Sequence, residues 1–471
     1  MTDMRPLDGW SSPGPLSGMD TLFWRMSADP RLRVEVLWAW FLDRTPDWED
    51  FLAGCDWMTR ALPRLRHRVV DPLWRMGVPV WAPDGDFRLS RHVHRVHLPA
   101  PGSKRDLLDL VEWRASTPLD RGHPLWEATL VEGLSDGRAV IVLKWHHAVT
   151  DALGVQMAMR RLLPQAPETA VRRIVEFQGP SRRNTPHPVE DRADLAPVAR
   201  TPMHGIGTAM VSLAGEAMRA AAVPRDAARE LGRLGRNVLQ VAAPVMPSPL
   251  LRKRSLEIHC GLVSVPLADL KTAGKSAGVS VTAAYVAGIL GAFHKYHAHY
   301  GLYLKRIPVM LPVSIREPFQ TGGGNYVAAV RIPGSVDDVS PAERMQLTHT
   351  SIARARSELA AGLYPLMSGV SPWMPLSVMT KSVPVLSRGV DIVITSVPGL
   401  SRNSYVAGAR IVDAVPWAPR GPAAANITTA SHGDLCGIGT NLDPAAITDT
   451  KLFHRLLQQS FEDVLTTSGS S

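Results

Sequence analysis

Cysteine is scarce in this 471-residue chain. Only Cys55, Cys260 and Cys436 occur, and no two of them form a CxxC pair. That argues against a disulfide framework or a zinc ribbon, and it fits a reducing compartment. No apolar run approaches the roughly 18 residues needed to cross a bilayer. The opening stretch MTDMRPLDGW has no charged segment leading into an apolar core, so no secretory signal is expected. The metalloprotease pattern HExxH is absent. Gly-rich TGGGNY (321–326) lacks the Lys-Ser/Thr that completes a phosphate loop. Basic and aromatic residues are not interleaved in the manner of a nucleic-acid surface, so no nucleic-acid partner is expected.

What is present is a mixed-charge chain, 45% apolar and 20% charged, with a formal net charge of +9. The apolar share supports a large core, and the length favours two domains. The positive balance suits anionic lipid or a phosphorylated small molecule, and it also suits a protein that is merely basic. RVEVLWAWFL (33–42) and GRAVIVLKWHH (137–147) read as buried strands, with RDLLDLVEWRAS (105–116) helical between them. A second mixed region follows, with strands in LEIHCGLVSVPL (256–267), RIPVMLPVSI (306–315) and VDIVITSVPG (390–399). Ser280 is placed to cap a helix through SVTAAYVAGILGAFHKYHAHY. Strands alternate with helices on both sides of a polar, Pro-rich and then Ala-rich segment. The expected organisation is α/β, with an N-terminal domain at 1–165, a linker and helical segment at 166–255, and a C-terminal domain at 256–471.

Chemistry concentrates in KWHHAVTDALG (144–154). Adjacent histidines on a strand point to opposite faces, so His146 and His147 cannot share one ion. RHVHRVHLP places His92, His94 and His97 close together, but no Cys or carboxylate completes a set, and no metal is expected. A serine nucleophile would need an elbow. The one GxSxG match, GKSAG at Gly274–Gly278, follows LADLKTA, which reads as helix rather than strand, so Ser276 is not expected to be a nucleophile. A general base fits better. A histidine just past a strand end can face a cleft, and Asp151, four residues on, can turn back to hold it.

HHAVTDA resembles the HHxxxDG motif of the CoA-dependent acyltransferase superfamily. Further blocks resemble the bacterial wax ester synthase/diacylglycerol acyltransferase family in particular. They are PLSGMDTLFW (15–24), LPRLRHRV (62–69), DFRLSRHV (86–93), PLDRGHPLWEATLVEGL (118–134), LPVSIRE (311–317), GGGNYVAAVRIP (322–333) and SVPGLSRNSYVAGARI (396–411). Ala152 stands where the motif has glycine, with Gly154 shortly after. Thr282-Ala283 stands at the family's Asn-Asp pair, and Ser396 at the Asn of its NVPGP block.

The resemblance implies two chloramphenicol-acetyltransferase-like domains, mixed sheets flanked by helices, with a tunnel at their interface. It implies His147 as general base, His146 as an orienting residue and Asp151 as a structural residue paired with Arg316, with Gly154, Asn325 and Ser396 in support. The implied reaction moves a long-chain acyl group from acyl-CoA, a co-substrate and not a bound cofactor, to diacylglycerol or a fatty alcohol. The implied setting is cytoplasmic, with peripheral contact to the inner face of the membrane or to lipid droplets. Candidate contacts are GTAMVSLAGEAMRAAAV (207–223), LLRKRS (250–255) and SPWMPLSVM (371–379). Another lipid or polyketide hydroxyl as acceptor, and a lipid-binding homologue of the same fold, stay open as alternatives.

Overall fold

The computed structural model describes residues 7, 9–10, 13–72, 77–166, 246–316, 322–359 and 389–467. Stretches 207–223 and 371–379, and most of the expected linker, lie outside the described residues.

The first half opens with the short strand β1 (Gly14–Pro15) and helix α1 (Gly18–Met26), which Ser17 caps by accepting from Asp20 N. Strand β2 (Glu35–Leu42) is buried along nearly its whole length, as its apolar run predicts. Helix α2 (Trp48–Ala61) and strands β3 (His67–Val70), β4 (Val80–Pro83) and β5 (Val93–His97) follow. Helix α3 (Lys104–Ser116) starts in a reciprocal capping box between Ser103 and Asp106. Strands β6 (Trp126–Glu132) and β7 (Ala139–His146) lead into helix α4 (Ala152–Leu162).

The second half contains β8 (His259–Pro266), α5 (Leu267–Ser276), α6 (Val281–His299), β9 (Arg306–Ser314), β10 (Val327–Ser335) and α7 (Pro341–Leu359). It ends with β11 (Ile392–Val397), β12 (Tyr405–Val406), β13 (Ala409–Trp417), β14 (Ala425–His432), β15 (Leu435–Leu442) and α8 (Thr450–Thr466). Ser280 caps α6 as its position predicts, accepting from Ala283 N at 3.3 Å. No single helix among the described residues is long and apolar enough to cross a membrane. Helices α5 and α6 reach that composition only together, meet at a bend of 96°, and α6 is core.

Two six-stranded mixed sheets dominate, in the orders β12-β13-β2-β7-β6-β5 and β10-β9-β11-β14-β15-β8. A small third sheet, β1-β4-β3, covers the first half. The expected domain division needs one amendment. Strands β12 and β13 lie in the C-terminal segment, yet β13 pairs antiparallel with β2, so 405–417 completes the first sheet. The physical reason is an open edge on the buried β2, whose polar N–H and C=O groups need a partner away from water. Strand β13 also presses against β15 of the second sheet. A Cβ at Gly437 or Gly439 would come within 2.4 Å of Ala414 O or 2.0 Å of Pro416 O, so only glycine permits this approach. A layer of Leu37, Val140, Cys260, Val415 and Trp417 then joins the halves through apolar burial.

Candidate active site

Strand β7 delivers His146 and His147 at its end, and α4 begins at Ala152 with Asp151 as its N-cap. The intervening loop is clamped by the segment that precedes β10. Thr150 forms a parallel bridge with Gly324, and Asp151 N donates to Gly324 O at 3.3 Å.

The two histidines have opposite surroundings. His146 is buried. Its Nδ1 accepts from Ala148 N at 3.0 Å, so Nε2 carries the proton and donates to Ser27 Oγ at 2.8 Å. Burial first, then Arg121 and His147, depress its pKa well below the ordinary histidine range, so it is neutral. His146 therefore ties the strand end to the C-terminus of α1.

His147 is only partly buried, and its ring stacks on Phe23 with centroids 4.4 Å apart. Its Nδ1 lies 2.6 Å from Asn325 Oδ1. The orientation of that amide is over-determined. Asn325 Nδ2 donates to Asp20 Oδ1 at 2.7 Å and to His147 O at 2.6 Å, two sites that accept. Asn325 therefore presents oxygen to the ring, Nδ1 must donate, and the lone pair sits on Nε2. Burial is the main influence on the His147 pKa and lowers it. The Asn325 contact, Asp151 and Asp20 act in the opposite direction. The imidazole is thus neutral and basic at neutral pH.

Asp151 does not hold His147, contrary to the residue-level expectation. As N-cap it points at the helix start, where Oδ1 accepts from Gly154 N at 2.7 Å. Oδ1 also accepts from Arg316 Nη2 at 3.0 Å, and Oδ2 from Tyr326 N at 2.9 Å. Both side chains of the Asp151–Arg316 pair are 2% exposed. Arg316 continues to Gly322 O and Gly324 O and lies over the Tyr326 ring. Gly154 is required here, because a Cβ would meet Thr150 Oγ1 at 2.1 Å and Arg316 Nη2 at 3.1 Å. Ala152 adopts an ordinary helical φ, so the missing glycine costs no strain there.

Ser396 is exposed on β11, and none of the hydrogen bonds of the His147 cluster involves it. Sequence reasoning missed Asp20, Phe23, Ser27 and Tyr326. Asp20 belongs to the PLSGMD block, and its carboxylate also accepts from Asn325 N. Burial raises the Asp20 pKa, opposed first by the Asn325 contact.

Other nucleophiles and metals are poorly provided for. Ser276 sits at the end of α5 and donates to Ala273 O. Burial raises all three thiol pKa values, that of Cys55 to about 12, which keeps them protonated. Among the described residues no group of three His, Cys, Asp or Glu could hold a metal ion, and His92 is instead stacked between Phe87 and Trp126.

Two cavities stand out, the first of them beside the loop. One of about 140 Å³ is almost wholly apolar and is lined by Trp40, Phe51, Trp145, Val149, Val155 and Met159. The other, about 500 Å³, opens between the halves and is rich in arginine.

Residues 16–285 match the wax ester synthase/diacylglycerol acyltransferase catalytic domain, and residues 323–464 match the C-terminal domain of the same family. A Mycobacterium tuberculosis protein provisionally named diacylglycerol O-acyltransferase is 32% identical over 467 residues, 96% of this chain and 92% of that one. A second from that organism is 30% identical over 401 residues, 81% and 82% of the two chains. Among solved structures, the wax ester synthase/diacylglycerol acyltransferase of Marinobacter aquaeolei VT8 superposes with a TM-score of 0.64 at 20% identity, over 97% of this chain and 100% of that one. The first condensation domain of the CDA synthetase gives 0.62 at 15%, over 98% and 97%. These two likenesses establish the fold, and the matched domains establish the kinship: this chain belongs to the wax ester synthase/diacylglycerol acyltransferase family and is an acyltransferase.

Proposed function

We propose that the chain moves a long-chain acyl group from acyl-CoA to the hydroxyl of diacylglycerol or of a long-chain alcohol, with His147 as general base. The observation that carries this reading is the contact between Asn325 Oδ1 and His147 Nδ1 at 2.6 Å. It leaves Nε2 as the free base atom on a ring that burial keeps neutral. Nε2 takes the hydroxyl proton while the oxygen bonds to the thioester carbonyl carbon. The tetrahedral adduct collapses, the C–S bond breaks, and the departing CoA sulfur receives the proton from His147. Transfer is direct. Neither Ser276, exposed and donating to Ala273 O, nor any of the protonated thiols is an activated nucleophile for an acyl-enzyme.

The apolar cavity beside Val149 offers an acyl chain a surface without polar competition. A lipid acceptor implies peripheral contact with a membrane or lipid droplet, on the cytoplasmic side. The division at 165 and 255 is kept, with 405–417 assigned to the first domain.

The test is CoA release with a panel of diacylglycerols, fatty alcohols and other lipid hydroxyls. His147→Ala is expected to lower turnover about 10²–10⁴-fold with its melting temperature retained. His146→Ala leaves Ala148 N without its acceptor, so it loses about 1–3 kcal/mol of stability and less activity. Near-wild-type turnover by His147→Ala would remove the mechanism.

A further inference from the structure

The larger cavity, about 500 Å³, is built from both halves of the chain. Arg31, Arg33 and Glu35 come from the start of the first sheet, Arg252 and Arg254 from the segment entering the second half, and Arg420 from the loop after β13. LLRKRS (250–255), an expected membrane contact, thus lines an interdomain cleft, with Leu251 fully buried.

The charges of these arginines are unequally compensated. Arg31 is paired with Asp29, and Arg420 with the buried Asp443. Arg254 donates to the carbonyls of Pro422, Lys253 and Leu251, and its charge faces Asp391 and Asp443. Arg33 and Arg252 make no ion pair with a described residue, and Arg33 Nη1 is buried without a protein hydrogen-bond partner. Glu35, the lining carboxylate, accepts from Val34 N. Asn441, 4% exposed, donates to Ala418 O, and its Oδ1 has no partner among the described residues. The cleft therefore offers, in Arg33 and Arg252, two guanidinium groups without an ion-pair contact to a described residue, and one buried acceptor.

The strand start that lines it is tied by the backbone to the residue that carries the base. Val34 lies between Arg33 and Glu35, and its carbonyl accepts from His147 N at 3.2 Å. We propose that this cleft binds the phosphate groups of the acyl donor, with Arg33 and Arg252 as the cations that meet them and Asn441 Oδ1 as an acceptor for a donor group of the same nucleotide. The proposal rests on the acyl-CoA reading above and says where its anionic end lies. CoA carries a diphosphate and a ribose 3′-phosphate, and guanidinium groups match phosphate oxygens geometrically as well as by charge.

Phosphate could also arrive as a lipid headgroup, and the experiment separates the sources. Arg33→Gln, Arg252→Gln and the double variant are first shown to melt as wild type does. Each is then titrated with free CoA, and separately floated with phosphatidylglycerol vesicles. CoA affinity is expected to fall about tenfold per arginine, with vesicle binding unchanged. In turnover, the preference for acyl-CoA over the same acyl group on pantetheine, which lacks the nucleotide, should fall by the same factor. Unchanged CoA affinity in the double variant overturns the proposal, as does loss of vesicle binding with CoA binding intact. The CoA titration needs no turnover. A protein that binds CoA in an Arg33- and Arg252-dependent way but transfers no acyl group refutes the catalytic reading and leaves this site standing. Should either variant fail to fold, Arg33→Lys and Arg252→Lys, which keep charge but lose the fork geometry, give the same readout.

Discussion

The two halves each raise a six-stranded mixed sheet, yet they contribute different things to the site. The first supplies the ring proposed as the base. Strand β7 ends in two histidines, and a short loop leads to α4. The second supplies no base to the cluster. From the short stretch around β9 and β10 it sends Arg316, Gly324, Asn325 and Tyr326, which fix the loop and the ring. Its β14, ending at His432, turns directly into β15, and His432 Nε2 is bound to Ile411 O. Under the proposed mechanism, chemistry in one half and its orientation in the other make catalysis depend on how the halves are joined.

The largest effect expected from breaking this division falls on the Asp151–Arg316 pair. Arg316→Ala strands a buried carboxylate that two backbone N–H groups still hold. Asp151→Ala strands a buried guanidinium and also removes the cap of α4. Both should lose about 3–5 kcal/mol, Asp151→Ala the more, with activity falling alongside. Asp151→Asn keeps an acceptor and should be milder. Chemical denaturation of the three variants reads the order; equal losses for Arg316→Ala and Asp151→Asn would contradict it.

Asn325→Ala comes next. It frees the His147 ring to lose its tautomer while the ion pair stays, so turnover should drop roughly 10²-fold with a much smaller stability change. Wild-type turnover in that variant would show that the second half orients nothing.

The third effect is acid sensitivity. Burial lowers the folded pKa of His67, His92, His146, His147 and His297, and that of His454 to about 4. Below pH 6.5 the unfolded chain binds protons that the folded chain refuses, so stability falls as pH drops, by at most about 1.4 kcal/mol per pH unit for each such histidine. Asp391, raised to about 6 by burial, works the other way between its folded and unfolded values and softens the loss. Denaturation midpoints at pH 7 and pH 5 test this. Because the halves share a strand, tryptophan fluorescence, weighted to the first half, and far-UV circular dichroism should give one coincident transition. The smallest effect is Ser276→Ala, which should leave CoA release unchanged.

Much of the fold was legible. The apolar runs of β2 and β7 and the cap at Ser280 mark elements by local chemistry. The strand exchange was not legible: 409–417 is not among the strands the pattern predicts, and no local pattern names a strand's neighbour. His147 and Arg316 could be picked from spacing and resemblance. The Asp20–Asn325–His147 chain could not, since its members stand 305 and 178 positions apart and only folding brings one amide between them. Asp151 divides the two readings: proximity in sequence suggests a partner for the ring, the resemblance pairs it with Arg316, and the carboxylate lies at the helix start against Arg316.

The loan of β13 to the first sheet has a consequence for how this protein is made. As the chain leaves the ribosome, EVLWAWFL of β2 can pair with β7 early, but its other edge waits until residues 409–417 emerge. For most of synthesis a tryptophan-rich edge lies open, a template for pairing with another chain. A nascent or truncated protein ending at residue 404 should therefore partition into aggregates unless a chaperone covers it, and adding 405–417 back as a peptide should rescue solubility. Fractionating both preparations reads this directly; a soluble fragment without the peptide would show that the open edge is harmless.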